Sequence, residues 1–409
     1  MNIFHLIAAL LSLAAFASYI NHRFIRLPST IGMMVIALIG SLGLVALRHA
    51  GVIDAGKVAA FIHELDFGDL LLHGMLGFML FAGALHINLG DLRKVKTPVS
   101  ILASAGIIIA TFVTGTLFWQ ASHWLGFEIP YLYALIFGAL ISPTDPIAVM
   151  GILKQVGAPK RLEMKIAGES LFNDGVAVVV FLTLVGIATG KTPPTAAHIG
   201  IFLLKEVCGG ALLGFVLGWI IYRLIRPLNA YQVEILMTLA LVAGTYALSE
   251  ILHLSAPIAV VVAGILIGNH GRSFGMSETT RQHLDNFWEL VDELLNAILF
   301  VLIGLEVVAL NTSISHLVLG LLAIAAVLLG RFVSVLIPIN LLAIKKDFSP
   351  GTIRILTWAG LRGGISIALA LSLPPSPERE LIVTATYIVV VFSILVQGLT
   401  IGRLILTRR

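Results

Sequence analysis

Residues Gly168–Phe181 read GESLFNDGVAVVVF. From Val176 to Ala188 the chain is apolar except for Thr183, the pattern of a helix that crosses a lipid bilayer. Three strongly polar side chains, Glu169, Asn173 and Asp174, stand at the head of that run. A charge at the centre of a bilayer costs about 2.5–3.5 kcal/mol on insertion scales. Each of these residues therefore needs a partner, a polar cavity or a function.

The rest of the chain places this stretch in a membrane. Of 409 residues, 58% are apolar and 12% are charged, about half the charge of a soluble domain. The apolar residues fall in runs of about 20 rather than in amphipathic stripes. The expected fold is an all-α polytopic membrane protein of about thirteen transmembrane helices. They fall near 3–20, 29–47, 69–88, 98–122, 131–152, 165–189, 197–222, 231–250, 256–269, 287–310, 314–342, 352–373 and 380–404. The first run lacks a basic start and is followed at once by NHRFIR, so it is expected to be retained as a span rather than removed as a leader. With no soluble extension in the sequence, function is expected to lie in the membrane part.

Basic residues set the orientation. With the N-terminus outside, nineteen of the 26 lysines and arginines fall on the inner side. Only Arg48, Lys57, Lys191 and Arg379 fall outside, and Lys205, Arg331 and Arg362 lie within spans. The inner side is then cytoplasmic and carries the C-terminus. The net charge of +4 serves topology and not nucleic acid. Cys208 is the sole cysteine, which excludes an internal disulfide and a cysteine metal cage; it reads as a packing residue. His63, His73, His123, His253 and His283 show no metal-ligand spacing and read as interfacial. No cofactor is expected.

Two spans are interrupted. The fifth contains SPTDP, with Pro143 and Pro146 around Thr144 and Asp145; the twelfth contains GLRGG, with Gly360, Gly363 and Gly364 around Arg362. Proline removes a backbone donor, and glycine loosens a helix. Unwound backbone at membrane depth survives only in protein or beside water. The breaks fall in the fifth span of each six-span half, the pattern of inverted repeats that cross at a transport site.

The buried polar groups sort by partner. Asp174 either caps or neutralises a neighbour, or binds an ion. Thr144, unwound carbonyls and a carboxylate are hard oxygen ligands for Na⁺, Li⁺ or K⁺. Low dielectric disfavours a charged carboxylate, so a proton competes with the cation. Asp145 either caps the half-helix at Pro146 or ligates. Glu169 and Arg331, each stranded among apolar residues, are expected to form a structural ion pair. Arg362 is expected to offset helix-end carbonyls and carboxylates at its own break. Lys205 and Glu206 read as interfacial, and Glu234 and Glu306 as solvated acids at helix ends. Alternatives are a cation channel, and an intramembrane aspartyl protease, whose signatures are missing.

Four stretches in order, SPTDPIAVMGILK, GESLFNDGVAVVVF, LLGRFVSVLIPI and WAGLRGGISIALALSLP, resemble the sodium/proton exchanger family, which includes the NhaP-type antiporters and the animal NHE-type exchangers. The resemblance implies a secondary transporter, not an enzyme: a homodimer in the bacterial inner membrane that exchanges Na⁺ or Li⁺ for H⁺ by an elevator-like movement. K⁺/H⁺ exchange is the runner-up. It implies cation and proton binding at Asp174, with Thr144 and Ser170 completing the shell and Asn173 and Asp145 holding the crossing helices. Glu169–Arg331 matches the family's buried pair, and Arg362 matches its broken-helix arginine. Residues 1–95 and 229–311 would form a dimerisation panel, 96–190 and 312–409 a transport core, and 191–228 a linking span. One departure stands in the third span, where Ala82 replaces a glutamate that many prokaryotic relatives carry, and Asn88 an aspartate. Asn173 stands where a second aspartate would double the protons exchanged, so exchange is expected to be electroneutral, one for one.

Overall fold

The computed structural model describes residues 3–49, 68, 70–155, 157–191, 193, 195–271, 276–306, 313–343 and 351–406. The expectations for His63 and for the Glu306 side chain lie outside the described residues. All described regular structure is helical. In chain order the helices are α1 (Ile3–Ile20), α2 (Ser29–His49), α3 (Leu70–Leu85), α4 (Leu89–Trp124), α5a (Tyr131–Leu140), α5b (Ile147–Gln155), α6 (Lys160–Ala188) and α7 (Ala196–Ile225). They continue as α8 (Tyr231–Leu252), α9 (Ala256–Gly271), α10 (Glu278–Glu306), α11 (Ile314–Ala343), α12a (Thr352–Trp358), α12b (Gly364–Leu371) and α13 (Pro377–Ile405).

A helix, whole or broken, stands at each expected span. Among the described residues, six are long and apolar enough by themselves to cross a membrane: α4, α6, α7, α8, α11 and α13. The α1–α2 pair meets the same standard across a bend of 107°. There the Asn21 side chain closes the turn, donating to the Leu27 carbonyl (2.9 Å) and accepting from its N–H (3.2 Å). Several helices begin earlier than hydropathy alone places them. The segment of Asp91 to Lys96, expected as a loop, forms the first turns of α4. Asn88 caps it by accepting the Asp91 N–H at 3.1 Å, and Lys94 reaches Asp91 at 2.6 Å. Polar helix ends extend past the apolar core because a capped backbone stays paired in water as well as in lipid.

The short ninth span is explained by its place. Pro257 falls in the first turn of α9, which is buried along nearly its whole length between α7 and α3. A helix covered by protein needs no lipid-matched length. The helices pack in two sets. One comprises α2 with α10, α7 with α9, and α9 with α3; the other comprises α4 with α5a, α4 with α11, and α11 with α13. In the second set α4 and α5a approach so closely that a Cβ on Gly138 would collide with the Thr111 carbonyl and lie 3.0 Å from the Gly115 nitrogen.

Within this set α6 is tied to α11 by charge. The Arg331 guanidinium bonds the Glu169 carboxylate, both buried, and also donates to the Leu356 carbonyl near the end of α12a, at 3.0 and 3.2 Å. Glu169 is thus the acid partner that Arg331 lacks along its own helix. Removing one member of such a pair strands the other charge in low dielectric.

Three outcomes are expected in thermal unfolding of the detergent-solubilised protein. Arg331→Ala should cost about 3–5 kcal/mol, while the apolar double replacement Glu169→Leu/Arg331→Met recovers most of that loss. Gly138→Val should cost about 1–3 kcal/mol through overpacking. Gly43→Ala, where a Cβ meets nothing within 4 Å, should change stability by less than about 0.5 kcal/mol.

Candidate functional site

Where α5 and α12 break, backbone groups lose their helical partners and must find others. The breaks cross and supply each other. The Asp145 N–H donates to the Leu361 carbonyl at 2.8 Å. The Arg362 guanidinium donates to the carbonyls of Ser142, and of Pro143 at 3.0 Å, just past the end of α5a. Cations are favoured at helix C-termini, where the last carbonyls point outward. The Asp145 carboxylate in turn lies at Gly363, the N-cap residue just before α12b, so close that a Cβ there would sit 2.5 Å from Oδ2. An acid beside a helix N-terminus completes the exchange. Arg362 was expected to serve its own break; the structure places it on the other, because the crossing brings residue 362 over the end of α5a. Its own backbone N–H is held by Ser393 (2.9 Å), which donates to Gln397 (2.7 Å).

Beside the crossing runs α6. Ser170, Asn173 and Asp174 share one helical face, being three and four residues apart. Asn173 clamps the first break: its amide donates to the Thr144 hydroxyl (2.8 Å), and its oxygen accepts the Thr144 N–H (3.3 Å). The Thr144 hydroxyl also bonds Ser170 at 2.9 Å. Asp174 is only 5% exposed, and its Oδ1 has no hydrogen-bond partner among the described residues.

Asp174, Thr144 and Asp145 line a cavity of about 740 Å³. Ser170 and Asn173 do not line it; they lie behind Thr144 and brace it. Glu169 faces the other way, toward Arg331. Three of the five residues expected around a cation therefore reach the cavity, and two support them. Ala82, the departure in the third span, is buried at 1% exposure and brings no carboxylate.

The cavity holds groups that reading the sequence missed. Asp285, Glu289 and Asp292 of α10 line it, as do Glu163, Asp91 and Lys160 near the polar ends of α6 and α4. The α10 acids recur at four and then three residues, the period of one helical face. That spacing was the available signal, obscured because the apolar run begins only at Phe287. Ser366 of α12b also lines the cavity, with its hydroxyl unpartnered among the described residues.

Three residues stand elsewhere than expected. Glu234, expected at a solvated helix end, is fully buried; it accepts the Ala230 N–H and the Thr280 hydroxyl, each at 3.2 Å, and so ties α8 to α10. Glu206 is buried rather than interfacial, because the loop at Ser255 folds over its turn. Cys208 is exposed on α7 and is not a packing residue, since α7 buries the opposite face, with Gly210 and Gly214, against α9. His73 stands 3.2 Å from Glu250, and His283 stacks on Tyr231.

Comparison with known proteins follows the same lines. The family model for the sodium/hydrogen exchanger, transmembrane, matches residues 10–407. The Na(+)/H(+) antiporter NhaP of Pseudomonas aeruginosa is 50% identical over 405 residues, spanning 98% of this chain and 96% of that one. The Na(+)/H(+) antiporter NhaH of Halobacillus aidingensis is 35% identical over 384 residues, spanning 93% and 91%. The solved structure of the sodium proton antiporter MjNhaP1 from Methanocaldococcus jannaschii at pH 8 superposes with a TM-score of 0.75 at 20% identity, covering 99% of both chains, and shares the fold. With its paired broken helices and an unpartnered buried carboxylate beside them, the chain belongs to the transmembrane sodium/hydrogen exchanger family.

Proposed function

We propose that this protein is a secondary antiporter that exchanges Na⁺ or Li⁺ for H⁺ across the membrane, one for one and without net charge, by alternating access. The observation that carries the reading is Asp174. It stands at the midpoint of a 29-residue membrane helix, with an unpartnered oxygen, in the wall of a cavity beside two broken helices. A carboxylate so placed holds either a cation or a proton. Since it cannot hold both, movement of the site between the two faces couples the two flows. The transported ions are substrates, no further cofactor is required, and no covalent step is involved.

The surrounding residues take distinct parts. The Thr144 hydroxyl and the Asp145 carboxylate provide oxygen ligands at the cavity wall. Ser170 and Asn173 hold Thr144 in place, and Glu169–Arg331 anchors α6. Arg362 neutralises the carbonyl end of α5a, so that the break persists without drawing a cation to those carbonyls. The packing of α4 with α5a and α11 with α13 supports a core of 96–190 and 312–409. That of α2 with α10 and α9 with α3 supports a panel of 1–95 and 229–311. Two copies would join through the panel, in the bacterial inner membrane, with the N-terminus outside and the C-terminus cytoplasmic. The many exposed apolar side chains of α1 and α2, Phe16, Tyr19, Ile39 and Leu42 among them, fit contact with lipid or a second copy.

The deciding assay is lumenal pH in voltage-clamped proteoliposomes after external Na⁺, Li⁺ or K⁺ is added. Inward Na⁺ with outward H⁺ alkalinises the lumen, and the ranking of the ions separates Na⁺ from K⁺ exchange. Asp174→Asn should lower the rate by at least about 10². Equal signals from both proteins would remove Asp174 from the mechanism, and currents that follow the cation gradient regardless of pH would make the protein a channel. Because one proton and one cation compete, the apparent KM for Na⁺ should rise as pH falls, by at most about tenfold per pH unit.

A further inference from the structure

The cavity that reaches Asp174 is more acidic than a single site requires. Seven carboxylates line it, from Asp91, Asp145, Glu163, Asp174, Asp285, Glu289 and Asp292, against one lysine, Lys160. Most lie near helix ends, but Asp292 does not. It stands at the midpoint of the described 29-residue α10, as Asp174 does in α6. Asp285 lies two turns away toward the polar end, about 10 Å along the helix. Asn296 fixes the local backbone by donating to the Asp292 carbonyl at 2.8 Å. Asp145, at the first break, lines the same cavity, so carboxylates from α10, α6 and the crossing share one space.

A second observation is independent of the acids. Ser366, 1% exposed, lines the same cavity from α12b, and its hydroxyl bonds nothing among the described residues. Several buried serines and threonines in this fold satisfy themselves on the carbonyl four residues back, as Ser142, Thr183 and Thr386 do. A buried hydroxyl left without a partner forfeits about 1–3 kcal/mol unless a ligand supplies one. α12b packs against α10, so the hydroxyl and the Asp292 carboxylate belong to adjoining walls. Arg362, the nearest buried cation in sequence, directs its Nη1 to the carbonyls of residues 142 and 143.

We propose that Asp292 and Ser366 form a second monovalent-cation subsite in the cavity, occupied before the ion passes to Asp174. The inference rests on the exchange reading above, but its test does not depend on exchange. A carboxylate and a hydroxyl supply hard oxygen ligands, and the cavity leaves room for the ion to keep part of its water. Transfer to Asp174 then runs past Asp145 without the ion leaving a negative environment.

The experiment is equilibrium binding of radioactive Na⁺ to the full-length protein in detergent at alkaline pH, in excess choline chloride to screen long-range attraction. Asp174→Asn should abolish exchange yet retain saturable Na⁺ binding at about one ion per chain. Adding Asp292→Asn should remove that binding. Adding Ser366→Ala should weaken it about tenfold, and Ser366→Thr should restore it to within about threefold. Loss of all saturable binding in Asp174→Asn alone would overturn the second subsite. So would unchanged binding in Asp174→Asn/Asp292→Asn or in Asp174→Asn/Ser366→Ala. If the Asp292 variant does not fold, the Ser366 pair decides. A wild-type protein that binds two ions but exchanges none would instead overturn the exchange reading.

Discussion

Two half-helices, α5a and α12a, end inside a membrane protein where water is scarce, and the rest of the site depends on how their last carbonyls are paired. Each end receives an arginine from elsewhere in the chain. Arg362 serves Ser142 and Pro143, and Arg331 serves Leu356. Orphan carbonyls carry the negative end of the helix dipole, so a guanidinium with several donors suits them better than a neutral group. The arginines must then be balanced. Glu169 balances Arg331 directly, while Asp145 lies at the opposite, N-terminal end of α12b. Breaks that would be costly alone become a rigid crossing.

That crossing explains why Asp174 keeps an unpartnered oxygen. Several nearby donors are directed elsewhere: the Asn173 amide to Thr144, Nη1 of Arg362 to the Ser142 and Pro143 carbonyls, and the Arg331 guanidinium to Glu169 and Leu356. A buried polar atom without a partner normally counts against a fold. Here Asp174 lines a cavity that other acids also line, and the proposed exchange would let a small cation or a proton complete it. Rigidity around the site and openness in front of it come from the same set of bonds.

The α10 acids change the picture of the cavity more than of the fold. Asp292 sits on the helix set that includes α2, whereas Asp174 sits on the set that includes α4 and α11. Carboxylates from both sets thus meet in one space. In the proposed exchange, a cation passing between them would lower their mutual repulsion and give movement between the sets an electrostatic reason to depend on the ion.

Much of this was legible in the sequence because it is local. Long apolar runs specify membrane helices, and Pro143, Pro146 and the glycines around Arg362 mark the breaks. Asp174, Glu169 and Arg331 stand out because charge amid apolar residues is costly wherever the chain goes. The basic-residue asymmetry and the four ordered motifs are likewise linear features. Only the tertiary structure decided which break Arg362 serves, that Ser170 and Asn173 stand behind Thr144, that Glu234 is buried on Thr280, and that Asp292 and Ser366 open onto the same cavity as Asp174. Those facts depend on contacts between residues up to 220 positions apart. Hydropathy and backbone chemistry act along the chain, but the direction a side chain faces is set by what packs against it.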